Sequence, residues 1–372
     1  MKELIIEKKQ QCGVIRLNRL ASLNALSKSM IMSMMETLIE WKMDPEILFV
    51  VITSNHPKVF CAGGDIKKVY EDVVAEKVEE ATDYLAIEYV FDHYIKTYEK
   101  PIIMYADGLT FGGGLGLFYG ASHRVISSQT KFAMPETKIG FFPDVGASYF
   151  LNELPNYVGY YLGMLGIQLI PSDILSLKMA HGMIDKIKWQ EVEERLFTQI
   201  FSQKKINSTL SLFLNEYYQT NHEPSNIEKH RQTIQRLFSK PSVLEIINDL
   251  QLDDPFEKAI DELFHQVSPT AVFTTYQLLK TNQGKTYWEC LKAEQTLSQH
   301  VVLTHDFKEG VRSLLVDKDQ RFAYEPSLYN EETEKASSAL FTIPEASIHP
   351  MDFWQKYYQE REAEEANKRR KK

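Results

Sequence analysis

Two glycine-dense stretches, Cys61-Ala62-Gly63-Gly64-Asp65 and Phe111-Gly112-Gly113-Gly114-Leu115-Gly116, each follow an apolar run that reads as a buried strand. Glycine lets a chain approach a ligand closely, and the positive end of a following helix adds to the pull. Two such loops can therefore aim two backbone amides at one oxygen, which is how an oxyanion hole is built. Taken singly, either cluster also reads as a tight turn or a helix-packing contact; together they favour the chemical reading. Further on, Phe132-Ala133-Met134-Pro135-Glu136-Thr137-Lys138-Ile139-Gly140-Phe141-Phe142-Pro143-Asp144-Val145-Gly146 embeds two acids among apolar residues. Burial there raises a carboxyl pKa and suits the group to proton transfer or attack. Each acid also has a plain structural reading as a hydrogen-bonded carboxylate, and Asp144 as the cap of a helix starting at Val145. Glu88, before Tyr89 on a helix, reads by spacing alone as a surface residue.

Other chemistries lack their residues. No G-x-x-x-x-G-K-[ST] and no G-x-G-x-x-G occurs, because Leu117 falls where the last glycine of the second pattern belongs, so phosphate cradles of those types are excluded. Gly120-Ala121-Ser122-His123-Arg124 and Gly146-Ala147-Ser148-Tyr149-Phe150 open like nucleophile elbows but lack the closing glycine, which disfavours a serine hydrolase. Histidines never pair as H-E-x-x-H. Asn207-Ser208-Thr209 fits a glycosylation sequon, a common chance match. Cys12, Cys61 and Cys290 lie far apart without a C-x-x-C pair, against a disulfide framework or zinc ribbon.

The elements that must carry these loops belong to an α/β protein. A chain of 372 residues has room for two or three domains and a substantial core. Its 51 acidic and 42 basic side chains give a net charge of −9, so bulk electrostatics do not attract nucleic acid. No apolar run is long enough for a membrane span; Tyr157 to Ile170, interrupted by glycines and Gln168, reads as a buried helix and turn. The opening Met1-Lys2-Glu3-Leu4-Ile5-Ile6 runs straight into a strand signal without a leader-like region, which leads us to expect a cytoplasmic protein, or a processed form in the mitochondrial matrix.

Leu4 to Glu7 and Val14 to Leu17 read as a strand pair, and Ser27 as the cap of a helix burying Ile31, Met34, Met35, Leu38 and Ile39. Ile47 to Ile52 and Ile102 to Tyr105 read as strands buried on both faces, separated by a helix from Ala81 to Tyr98. From Pro171 the chain turns helical and charged, with Ser268-Pro269 opening one helix. These changes of texture divide it into a core over 1–170, a helical region over 171–344 and a charged tail over 345–372. The tail, ending in Lys368-Arg369-Arg370-Lys371-Lys372, is expected to be a solvated, partly frayed helix. No internal repeat is visible.

The segments Phe60 to Ile66, Phe111 to Gly116 and Phe132 to Gly146, with Glu88-Tyr89 and the later His305-Asp306-Phe307-Lys308-Glu309-Gly310-Val311-Arg312 and Val316 to Gln320, resemble the enoyl-CoA hydratase/isomerase (crotonase) superfamily, in its 3-hydroxyisobutyryl-CoA hydrolase branch. The likeness spans about Ile5 to Gln320. It implies a crotonase-like spiral of ββα units with a helical C-terminal region that commonly supports a homo-oligomer. It also implies an acyl-CoA substrate, with no membrane or nucleic-acid partner and no cofactor beyond the coenzyme A of the substrate itself. By the same resemblance, the amides of Gly64 and Gly113 form the oxyanion hole, Glu136 is nucleophile or base, Asp144 holds the substrate's 3-hydroxyl, and Glu88 lines the substrate pocket. Hydratases of the superfamily carry a second glutamate where Gly116 stands here, and usually glycine in place of Asp144. Both departures favour hydrolysis of a short branched 3-hydroxyacyl-CoA over the alternatives, hydration or isomerisation on the same scaffold and a non-catalytic assembly subunit. Tyr324 stands where this branch often has tryptophan, and Lys67 or Lys68 lies where the coenzyme phosphates are expected, though both read equally as ordinary surface lysines.

Overall fold

The computed structural model describes residues 2–220, 223–342 and 349–370. Two sheets organise the first half. The larger runs β1 (Leu4–Lys9), β2 (Cys12–Leu17), β3 (Phe49–Ser54), β5 (Ile102–Ala106), β7 (His123–Ile126) and β9 (Gly182–Met183) in spatial order, and the smaller runs β4 (Val59–Cys61), β6 (Leu109–Phe111) and β8 (Lys131–Ala133). Among these nine strands only β1 and β2 pair antiparallel with each other, through the turn at Gln10-Gln11 that the strand pair predicted, and Phe132 of β8 adds a single antiparallel bridge to Leu169. The chain visits the large sheet, crosses to the small one and then turns into helix, three times in succession: β3–β4, β5–β6 and β7–β8. These turns are the expected spiral of ββα units.

The two apolar runs read as fully buried strands become β3 and β5, in parallel register with Val50 opposite Ile102 and Ile52 opposite Met104. Side chains alternate across a strand, and here both faces are apolar. Val50 and Ile52 enter the main core, whereas Phe49 and Val51 join Ile103, Tyr105 and Val125 on the opposite face, under Trp189, Val192 and Leu196 of the helix Lys186–Thr198. The helical second half thus covers one face of the sheet, and β9, which lies past residue 171, pairs with β7.

On the other face, α1 (Lys28–Lys42) is capped by Ser27, whose side chain accepts from the Met30 amide, and buries Ile31, Met34, Met35, Leu38 and Ile39 as its spacing predicted. The helices α2 (Ile66–Val74), α3 (Val78–Lys96) and α4 (Gly113–Gly120) follow the two glycine loops. Ser268 caps the helix Pro269–Asn282, as expected.

The expectation of a solvated tail is corrected. A helix Pro350–Arg370 lies along α1 and α3, burying Met351, Trp354 and Tyr358 against them. Trp354 Nε1 donates to Asp83 (2.5 Å), Tyr94 donates to Glu362 (2.7 Å), and Lys42 pairs with Glu362 (3.0 Å). Its three aromatic and sulfur-bearing anchors, spaced one turn apart, outweigh the surrounding charge. The last two lysines, Lys371 and Lys372, and the start of the tail at 345–348, with Pro344 before them, lie outside the described residues.

Candidate active site

The small parallel sheet is what gathers the site. β4, β6 and β8 end side by side, with Cys61 beside Thr110 and Phe111 beside Ala133. Leaving those three carboxyl ends, the chain delivers Gly63-Gly64, Gly112-Gly113 and Glu136. A hydrogen bond from the Gly112 amide to the Ala133 carbonyl (3.1 Å) ties the second loop to the third strand.

Gly63 and Gly112 have φ of +116° and +49°, conformations that side chains oppose, and these reversals turn the next amides into the site. A Cβ built on Gly113 would stand 3.0 Å from the Gly64 nitrogen and collide with Glu88 Oε1, so the two loops touch at their second glycines. Neither the Gly64 nor the Gly113 amide donates to a backbone carbonyl among the described residues. Gly113 also begins α4, whose N-terminus adds partial positive charge. The first loop is fixed by Tyr84, whose hydroxyl donates to the Leu26 carbonyl (2.7 Å) and accepts from the Asp65 amide (2.8 Å), and by the Arg19–Asp65 ion pair (2.7 Å).

Two acids flank the amides. A Cβ on Gly112 would lie 2.7 Å from Glu136 Oε1, and one on Gly64 2.8 Å from Glu88 Oε2. Glu136 opens a short 3₁₀ turn, Glu136–Ile139, buttressed by the helical half: Ser268 donates its amide to Thr137 and Tyr324 its hydroxyl to Lys138, both to carbonyls. Glu88 is only 2% exposed, which corrects its reading as a surface residue. Among the described residues nothing hydrogen-bonds Glu88 Oε1 or Glu136 Oε2, although both atoms are buried. At a site with two free amide donors, such atoms are positions where a ligand or water would complete the bonding.

Asp144 does not cap a helix with its side chain. Its carboxylate accepts from the Tyr89 hydroxyl (2.5 Å), while its backbone carbonyl accepts from the Ala147 amide (2.8 Å). Gly116, where a second glutamate was at issue, is filled from the other side, since a Cβ there would lie 2.6 Å from Val145.

Burial sets the acidities. It raises Asp144 to about 7 against the counter-effect of Tyr89, and holds Glu136 and Glu88 well above the ordinary carboxyl range, in both cases with a further push from the Asp144 charge. Like charges this close do not all ionise together at neutral pH. Such a site presents two free donors for a developing oxyanion, one acid able to attack or accept a proton, and a second anchored to a phenol.

Two contributors escaped the sequence reading: Tyr84, which fixes the first glycine loop, and Glu294, which accepts the Gly146 and Ser148 amides just after Asp144. Tyr84, Glu88 and Asp92 recur every fourth residue along α3, whose middle is apolar on every side; a helix of that kind is buried all round, and this was the missed signal. Lys68 is engaged by Asp72 on its own helix.

The chain belongs to the enoyl-CoA hydratase/isomerase family, whose sequence model matches residues 12–341, and its fold is that of the crotonases. The 3-hydroxyisobutyryl-CoA hydrolase, mitochondrial, of Xenopus tropicalis is 37% identical over 344 residues, covering 91% of this chain and 89% of its own. The protein of the same name in Homo sapiens is 37% identical over 338 residues, with coverage of 90% and 86%. Among solved structures, a carnitinyl-CoA dehydratase from Mycobacterium thermoresistibile superposes with a TM-score of 0.86 at 26% identity, over 94% of this chain and 99% of that one.

Proposed function

We propose that this protein hydrolyses a short branched 3-hydroxyacyl-CoA thioester, 3-hydroxyisobutyryl-CoA, to the free hydroxy acid and coenzyme A, a reaction of the valine-degradation type. The observation that carries the reading is the meeting of the Gly64 and Gly113 amides beside Glu136. The amides receive the thioester oxygen, whose negative charge grows on attack, so they stabilise the transition state more than the substrate, by a few kcal/mol per donor. In its ionised form Glu136 acts at the carbonyl carbon: either it attacks to form a mixed anhydride as the C–S bond breaks and the thiolate leaves, and water then opens the anhydride to free the acid and Glu136, or it takes a proton from a water that adds to the carbon, after which the C–S bond breaks and the thiolate leaves. Asp144, steadied by Tyr89, accepts the substrate's 3-hydroxyl, and Glu88 lines the acyl pocket. The relatives named 3-hydroxyisobutyryl-CoA hydrolase support the choice of substrate.

No cofactor beyond the substrate's own coenzyme A is part of the proposal. Assembly as a homo-oligomer is included in it, as is a location in the cytoplasm or, for a processed form, the mitochondrial matrix; relatives whose names carry that compartment support the latter. Among the described residues no helix is long and apolar enough to cross a membrane.

A second reading, hydration on the same scaffold, is favoured by one observation: Glu88 supplies a second acid at the glycine loops. Parallel assays separate the two. Wild type is expected to release thiol from 3-hydroxyisobutyryl-CoA, and Glu136→Gln to lose that activity by about three orders of magnitude or more. Hydration of crotonyl-CoA without thiol release supports the second reading, and inactivity on both thioesters contradicts each.

A further inference from the structure

The turn that carries Asp144 is held from a distance. Val145 follows it with φ of +53° and Gly146 with +83°. A β-branched residue in the left-handed region costs roughly 1–3 kcal/mol and persists only where its surroundings impose it. The surroundings here come from the helix Tyr287–Val301. Tyr287 and Glu294, two turns apart on that helix, face the turn together. The ring of Tyr287 packs on Gly146, leaving no room for a Cβ, and its hydroxyl donates to the Val145 carbonyl (3.4 Å). Glu294, wholly buried, accepts the Gly146 amide on Oε2 (2.7 Å) and the Ser148 amide on Oε1 (2.9 Å), and Oε1 also takes the Ser148 hydroxyl. Asn282 donates to that same hydroxyl oxygen (2.8 Å), closing the network.

We propose that Glu294 is a positioning residue: by clamping the Val145–Ser148 turn it aims the Asp144 carboxylate, and so sets preference for substrates bearing a 3-hydroxyl. The inference rests on the functional reading given above for Asp144. A carboxylate is required because each of its oxygens receives a backbone N–H. Glutamine offers one oxygen and turns an N–H₂ group against the other amide, so the turn loses one anchor.

The test compares kcat/KM for 3-hydroxyisobutyryl-CoA and for isobutyryl-CoA, which lacks the hydroxyl, in wild type, Glu294→Gln and Ser148→Ala. Glu294→Gln is expected to lower the ratio of the two by about tenfold or more, because small misplacements of a positioning group carry penalties of that order. Ser148→Ala, which spares the backbone amides, lowers it less in the same direction and serves where Glu294→Gln does not fold. A parallel fall on both substrates, as lost folded protein would give, overturns the proposal. Crystal structures of the variants provide an answer that does not depend on the substrate. Asp144 displaced from the Tyr89 hydroxyl supports the clamp, and an unmoved Asp144 with Val145 still at positive φ overturns it. Wild type indifferent to the 3-hydroxyl contradicts the role given to Asp144 and leaves the crystal structures to decide the clamp.

Discussion

Single side chains make the sharpest commitments. A methyl group on Gly113 would strike Glu88 at the place where two amides meet. Gly113→Ala therefore should fold, with the far flank of α4 untouched, yet lose about two orders of magnitude or more in kcat, the loss typical of an oxyanion donor. Steady-state thiol release measures this, and a variant within a factor of three of wild type would contradict the role of that amide. Glu136, Asp144 and the two glycine clusters stood out because glycines and acids are conspicuous among apolar neighbours, whereas Gly64 and Gly113 as the particular donors came from the resemblance. Glu88 did not stand out, because α3 is buried all round its middle and spacing offers no polar face to set an acid apart from it. Glu294 carries no local mark at all: its partners are backbone amides 146 and 148 positions earlier in the chain, and such contacts exist only once the chain has folded.

Elements were readable in proportion to their length. β3, β5 and α1 announced themselves by continuous or periodic apolar residues, whereas β4, β6 and β8, three residues each, are too short for a period to register. Yet those short strands carry the site, so the spiral was reached through resemblance and not through pattern, and its three ββα turns share no sequence repeat. The helix Pro350–Arg370 shows the opposite error, where abundant charge concealed a docking stripe. Replacing Trp354 by alanine removes a nearly buried ring and its bond to Asp83, and should cost about 3 kcal/mol of stability. Urea unfolding measures that loss. A cost under about 0.5 kcal/mol would return the tail to the solvated state first expected of it.

For the molecule entire, the buried acids predict how stability varies with pH. Asp144 is raised to about 7, chiefly by burial, and Glu88, Asp92 and Glu136 are raised as well. Each binds its proton more tightly folded than unfolded, so folding takes up protons between the ordinary carboxyl range and the raised values. As far as these groups decide it, stability is therefore greatest below about pH 4 and falls as pH rises from there toward the raised values, by up to about 1.4 kcal/mol per pH unit for each proton held. Thermal unfolding from pH 5 to 8 should show the slope, and Asp144→Asn should flatten it below about pH 7. An identical slope in the variant would mean that Asp144 titrates as an ordinary exposed acid.

The account turns on one convergence, and a crystal structure of Glu136→Gln with 3-hydroxyisobutyryl-CoA bound examines it most directly. The thioester oxygen is expected to accept from both the Gly64 and Gly113 amides at about 2.7–3.1 Å, with residue 136 facing the carbonyl carbon and the 3-hydroxyl on Asp144. A thioester oxygen bound away from those two amides, or an acyl group turned from residue 136, would contradict it.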